Sequence, residues 1–261
     1  MNRPRLIALL TDFGNEDTYA ASMKGVILSV CPTARIVDIT HEISPYAISQ
    51  GAYYLWSVYR HFPSGTIFVV VVDPGVGSSR RILSVQTDRY TFLAPDNGVL
   101  KYMLMQEGKL EVREISNRNY FSDHVSSTFH GRDIFAPVAG YLAKRGAISR
   151  LGKKTTPEFG PEKFVTAGRM VRRSRLKGYV ISIDHFGNII SNVRFPQGKG
   201  GWKVRLGKSV IRKTYAYYGE AGTGEVFTLK GSTGLLEISM KGESAARRLR
   251  ATLNQPLTIQ L

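Results

Sequence analysis

The chain has 261 residues, 43% hydrophobic and 21% charged, enough for one large globular domain or two modest ones, and its composition excludes a fibrous or disordered chain. No run of about 18 apolar residues occurs, so a membrane span is not expected, and the N-terminal apolar stretch lacks the small-residue cleavage site of a signal peptide. The single cysteine, Cys31, cannot form an internal disulfide, which fits a cytoplasmic, reducing compartment, and the formal net charge of +16 asks for an explanation of its own.

Residues 1–150 alternate strand-like and helix-like segments. The patterns predict a strand at 6–11, a helix at 18–30, a β-branched strand at 34–40 and a helix at 47–62 that stops at Pro63-Ser64-Gly65. Next comes 66–73, where Val69 to Val72 form an unbroken β-branched run of the kind buried on both faces of a parallel sheet. A strand at 82–93, a short helix at 99–105, a strand at 110–115 and a helix at 134–144 follow. Such alternation predicts a mostly parallel sheet covered by helices. Beyond about residue 165 the pattern changes to short strands, at 179–183, 202–206, 226–229, 235–240 and 257–261, separated by glycine-rich turns. The expected organisation is an α/β N-terminal domain over 1–165, a linker within 147–168, and a smaller all-β, barrel-like domain over 169–261.

Charge is unevenly spread. From Thr166 onward there are 17 Lys+Arg against 5 Asp+Glu, and 169–177 is the densest basic run. It reads either as an anionic or nucleic-acid contact or as a basic solvated surface, and no base-reading motif accompanies it, so nucleic acid is not the expected partner.

Five polar constellations stand out. Asp12, in TDFG, ends the first strand, where a carboxylate can accept hydrogen bonds from a diol, bind metal, or cap a helix. Asp73 ends the valine strand, and Arg80 follows seven residues later across a glycine turn, as a polar site or as a loop-holding ion pair. His130 sits just before a helix, where the dipole disfavours its protonated form. A histidine there is structural, functional or a metal ligand, but no close His/Cys pair at ligand spacing joins it and no metal is expected. In the β domain, Asp184, Phe186 and Asn188, with Ser191-Asn192 beyond, offer an acid, a ring and an amide, as a nucleobase or amino-acid pocket needs, or an ordinary hairpin turn. The fifth stretch, GSTGLLEISMKGESAA, alone reads only as turn, strand, turn.

Together TDFG, VDITHEISPYAISQGA, VVDPGVGSSRR, APDNG, STFHGRDIFAP, IDHFGNIISN and GSTGLLEISMKGESAA, spread in order over nearly the whole chain, resemble the S-adenosylmethionine hydroxide adenosyltransferases. These are relatives of the S-adenosylmethionine-dependent fluorinase and chlorinase. The resemblance implies a homotrimer with active sites at subunit interfaces, each between the N-terminal domain of one chain and the C-terminal domain of its neighbour. It implies hydrolysis of S-adenosyl-L-methionine, as substrate and with no cofactor, to adenosine and L-methionine. The family's water-handling triad falls on Asp73, Arg80 and His130. The ribose diol falls on Asp12, with Asp73 near the nucleoside. Asp184 would hold the methionine ammonium, Asn188 and the backbone from Met240 to Gly242 the adenine, and Phe186 the ring pocket. Ser232 would meet the methionine carboxylate or the departing adenosine, and Glu237 is a further pocket residue. Halogenases typically lack an acid at the position of Asp73, since a carboxylate repels halide, so this aspartate points to water. Tyr46 stands where the halogenases carry a tryptophan and Ile190 at another of their aromatic positions, which leaves the ring packing open. The alternatives are a halide-using enzyme of the same superfamily and a non-enzymatic binder of adenosine or nucleic acid.

Overall fold

The computed structural model describes residues 5–162, 164, 175–197 and 201–260. The chain divides into two units, Met1–Glu162 and Lys163–Leu261.

In the first unit, β1 (Leu6–Thr11), β2 (Arg35–Thr40), β3 (Ile67–Val71), β4 (Ile82–Gln86), β5 (Thr91–Pro95) and β6 (Glu111–Glu114) form one sheet in the order β2-β1-β3-β5-β4-β6. The β2–β1, β1–β3 and β3–β5 pairs are parallel, and β4 pairs antiparallel with β5 and β6. The sheet is therefore mostly parallel, as the β–α alternation predicts. Its central strand β3 is fully buried, and the valine run explains why. Ile67, Val69 and Val71 enter a core with Met23 and Ile27 of α1 (Tyr19–Val30) and Val138 and Leu142 of α4 (Ala136–Ala143). On the other face Phe68 stacks on Phe92 at 5.0 Å. A Cβ on Gly51, in α2 (Ile48–Val58), would lie 3.0 Å from a Val72 methyl, so that helix lies almost on the strand.

The sequence expectation of one strand over 82–93 is corrected: β4 and β5 are two antiparallel strands. The turn between them is built by a side chain rather than by glycine or proline, with Thr87 Oγ1 accepting from the backbone N–H groups of Arg89 and Tyr90. The predicted helix at 134–144 starts earlier, in a π-helical turn over Gly131–Phe135 that runs into α4. Pro137 supplies a cause, because it has no N–H for the carbonyl of Asp133. That carbonyl instead accepts from Ser122 N at 2.9 Å. A short helix α3 (Lys101–Leu104) follows β5. Of the expected linker, residues 148–155 are packed onto the sheet: Leu151 is buried, and Thr155 N donates to Val112 O at 3.0 Å.

The named strands of the second unit all pair antiparallel. β7 (Arg175–Ile183), β8 (Ile189–Arg194), β9 (Lys203–Leu206), β10 (Ser209–Ile211), β11 (Val226–Lys230), β12 (Leu235–Met240) and β13 (Pro256–Gln260) run in the order β10-β9-β13-β7-β8-β12-β11. Residues just after β10 pair with the opposite terminal strand: Thr228 N donates to Lys213 O, and Tyr215 N donates to Thr228 O. The sheet thus curls into a nearly closed barrel around Val180, Ile189, Val193, Val204, Leu236 and Ile238. β8, β10 and the short helix α5 (Ala245–Leu249) were not among the predicted elements. Residues 169–174 of the basic run lie outside the described residues. Among the described residues, no helix is long and apolar enough to cross a membrane.

Candidate active site

Parallel pairing of β1 with β3 places Thr11 opposite Val71, so Asp12 and Asp73 leave neighbouring strand ends on the same side. Both line one cavity of about 320 Å³, together with Tyr46, Phe129 and His130. Phe13, Tyr19 and Phe129 meet edge-to-face or tilted at 4.9–5.8 Å and form its apolar wall. Asp12 Oδ2 accepts from Tyr46 N at 2.9 Å. Burial pushes the Asp12 carboxyl above its ordinary value, against backbone hydrogen bonds from Tyr46 and from Asp12 itself, and nearby Asp73 adds to the rise. Tyr46 is held at φ 66, in the left-handed region, and the residue is 72% exposed.

The loop between Asp73 and Arg80 closes on itself. Arg80 Nε donates to Asp73 Oδ1 at 3.0 Å and to Oδ2 at 2.9 Å, and its Nη2 donates to Oδ2 at 2.5 Å. Both side chains are largely buried. The same Nη2 donates to His130 Nδ1 at 2.8 Å. Guanidinium has only donors, so Nδ1 must accept, and the imidazole proton resides on Nε2. Burial, and next the Arg80 charge, hold His130 below the ordinary histidine value, opposed by Asp73 and Asp133. The structure thus brings Asp73, Arg80 and His130 into one hydrogen-bonded chain beside Asp12.

Gly77 makes the loop possible. Its φ is +79, and a Cβ there would sit 2.2 Å from the carbonyl oxygen of Ser127, on the segment that leads to His130.

In the second unit, a cavity of about 700 Å³ is lined by Asp184, Phe186, Asn188, Tyr218, Met240 and Lys241, with Ser244 and Arg247 at its side. Asp184 and Asn188 lock together across the β7–β8 turn. Asn188 N donates to Asp184 Oδ1 at 2.8 Å, and Asn188 Nδ2 donates to Oδ2 at 2.9 Å. Gly187, at φ +85, lets the turn press against Ser244, whose Oγ would lie 2.0 Å from a Cβ. Phe186 is 76% exposed, a large ring presented without protein cover in this unit. Glu237 and Ser232 do not line this cavity. Glu237 is buried, and accepts from Tyr218 OH at 2.6 Å and Ser239 Oγ at 2.8 Å, so it reaches the cavity through the Tyr218 phenol. Ser232 is exposed in the β11–β12 turn.

Ser191 and Asn192, grouped with the pocket in the sequence, serve the sheet instead. Ser191 Oγ donates to Leu236 O, and Asn192 Oδ1 accepts from Tyr179 N. Ile190 is buried on β8. Sequence reasoning missed Tyr218 and Arg247, and took Lys241 only as part of a backbone stretch. The aromatic cluster Tyr215 to Tyr218 was the available signal for the first, and Arg247 directly follows the GSTGLLEISMKGESAA stretch, which ends at Ala246. Among the described residues, no group of His, Cys, Asp or Glu is arranged to hold a metal ion.

Strand-end carboxylates sharing a cavity on a mostly parallel sheet, and separately an antiparallel barrel with an acid–amide pocket, define a two-unit α/β protein with an acid-lined cavity in each unit. The family model described as SAM hydroxide adenosyltransferase N-terminal domain matches residues 7–152, and its C-terminal counterpart matches 178–258. The chain belongs to this family. It is 32% identical to the (R)-S-adenosyl-L-methionine hydrolase of Thermus thermophilus, covering 98% of this chain and 99% of that one. It is 27% identical to the fluorinase of Nocardia brasiliensis over 99% of this chain and 95% of the other. A crystal structure described as an uncharacterized conserved protein from Thermotoga maritima superposes with a TM-score of 0.85 at 34% identity, covering 98% of this chain and 100% of that one.

Proposed function

We propose that the protein hydrolyses S-adenosyl-L-methionine to adenosine and L-methionine by direct attack of water on C5′. The observation that carries this reading is the Asp73–Arg80–His130 chain at the wall of the cavity that also holds Asp12. The sulfonium leaves as a neutral thioether, so departure needs no acid; the C5′–O bond forms as the C5′–S bond breaks, and sulfur keeps the electron pair. What must be supplied is a water held in line with the C–S bond. His130 Nε2–H can donate to that water, and Asp73 can accept from it and take its proton, while Arg80 fixes both. Asp12, which lines the same cavity, is assigned to the ribose diol. In the second unit, Asp184 is suited to the methionine ammonium, Asn188 and the Met240–Gly242 backbone to the adenine, and Phe186 to its ring. Ser232 is assigned to the methionine carboxylate or the departing adenosine, and Glu237 acts on the pocket through the Tyr218 phenol that it holds. S-adenosyl-L-methionine is consumed as substrate, with no cofactor and no metal. The assembly is a cytoplasmic homotrimer in which each site draws one unit from each of two chains.

The test is incubation with S-adenosyl-L-methionine in ¹⁸O-labelled water and chloride buffer, with mass analysis of the nucleoside. Label in the 5′-hydroxyl of adenosine, absent in Asp73→Ala, is the expected result. A 5′-halogenated nucleoside would replace the hydrolase reading by the halogenase one, and no nucleoside product between pH 6 and about 9, a span that covers histidine titration, would end both.

A further inference from the structure

The loop that carries Asp73 and Arg80 is gripped from outside at both of its ends by one dipeptide, Asp96-Asn97, at the end of β5. At the leading end, Asn97 Nδ2 donates to the carbonyl of Val72, the residue before Asp73, at 2.8 Å. The need for this bond is set by the chain. The β3–β5 ladder stops at Val69↔Leu93, and Pro95 has no N–H with which to extend it. The Val72 carbonyl is therefore left without a strand partner on that side, and a side-chain amide takes it. At the trailing end, Arg81, the residue after Arg80, is held twice by Asp96: its carbonyl accepts from Asp96 N at 3.0 Å, and its Nη2 donates to Asp96 Oδ2 at 2.5 Å. Asp96 is buried, and both its carboxylate oxygens also accept from Glu158 N, so the anchor is fixed to the far side as well. The amide orientation of Asn97 is determined by the network, since Val72 O needs a donor while Val99 N, 3.1 Å away, needs the Oδ1 acceptor.

Resting on the hydrolase reading for its kinetic consequence, we propose that Asn97, with Asp96, is a positioning residue for catalysis: its carboxamide sets the exit of Asp73 from β3 and so the aim of the Asp73–Arg80 pair at the attacking water. It touches neither substrate nor water. Its effect belongs to the chemical step, where small misplacements are costly, and not to the uptake of substrate.

Asn97→Asp separates the donor from the acceptor, because a carboxylate still serves Val99 N but donates nothing to Val72 O. The expected result is a kcat lowered by about ten- to a hundredfold with KM for S-adenosyl-L-methionine within about twofold. In an Asp73→Asn background the same substitution should have little further effect, because the group being aimed is already disabled. Equal losses in both backgrounds, or a rise in KM with kcat unchanged, overturn the proposal. A second measurement does not depend on turnover. In the uncharged variant Asn97→Ala, the imidazole of His130, titrated by NMR, should move up toward the ordinary value of about 6.5 as Arg80 withdraws from it. An unmoved titration overturns the proposal even if the kinetics change. Should the unaltered protein form no product at all, the hydrolase reading falls, and the titration alone still decides whether Asn97 holds the cluster.

Discussion

Arg80 is where the site's chemistry is concentrated, because one guanidinium meets both a carboxylate and an imidazole. Lysine has the charge but not the planar fork, so it cannot grip both Asp73 oxygens and His130 at once. Arg80→Lys is expected to lose on the order of a hundredfold in kcat, while its thermal midpoint falls only slightly; near-wild-type turnover would show that charge alone suffices. The pH profile follows from His130. Its value in the folded protein lies below the ordinary one because of burial and then Arg80. The neutral ring is therefore the native form at pH 7, and activity should hold as pH falls to about 6.5 and collapse only at lower pH, when Nδ1 is protonated against Arg80. The folded state binds fewer protons than the unfolded chain between those two values. The stability this group contributes is therefore complete above about 6.5 and is lost as pH falls through the depressed value. Measuring kcat/KM and the melting midpoint from neutral pH downward checks both, and His130→Asn should remove the inflection. An acid limb centred above 6.5 would contradict the assignment.

At the scale of elements, what could be read from the sequence depended on whether local residues or distant partners decide the structure. The valine run gave β3 directly, since nothing but a doubly covered strand suits it. β8 was not legible, because Ser191 and Asn192 interrupt its apolar pattern and are satisfied by strands β12 and β7, which are remote in sequence. The break between β4 and β5 was marked only by the polar run Gln86 to Arg89, without glycine or proline. Likewise the motif residues of the site stood out as strand-end acids and a pre-helix histidine, whereas Asn97's grip on Val72 depends on where a neighbouring ladder stops. Glycines give a quantitative test of this element scale. Gly65 and Gly77 both have positive φ, +88 and +79, but a Cβ on Gly65 meets nothing within 4 Å, whereas on Gly77 it meets the Ser127 carbonyl. Gly65→Ala should cost roughly 1–2 kcal/mol, the left-handed penalty alone. Gly77→Ala should cost about 3 kcal/mol or more and reduce turnover, because the loop must leave the segment that carries His130. Denaturant midpoints of the two variants decide it; equal losses would mean that the loop's approach to Ser127 is dispensable.

At the scale of the whole molecule, the chemistry is divided. The groups proposed to handle water and ribose lie in the first unit, and those proposed for the methionine ammonium and adenine lie in the second. If each site of a closed trimer takes its first unit from one chain and its second from the next, two dead chains can rescue each other. Asp73→Ala disables only first units, and Asp184→Ala only second units. In any trimer containing both variants, a cyclic arrangement places an intact first unit beside an intact second unit at one of the interfaces. Mixed trimers, co-expressed with different tags and isolated by tandem capture, should therefore recover about a third of the wild-type rate, although each variant alone is inactive. A site built within a single chain predicts no recovery at any mixing ratio, because every chain then carries one disabled half. The comparison needs no structure of the assembly, and it separates loss of chemistry from loss of architecture: each variant must still form the native oligomer by light scattering, so that a silent mixture can be traced to where the two halves of the site come from.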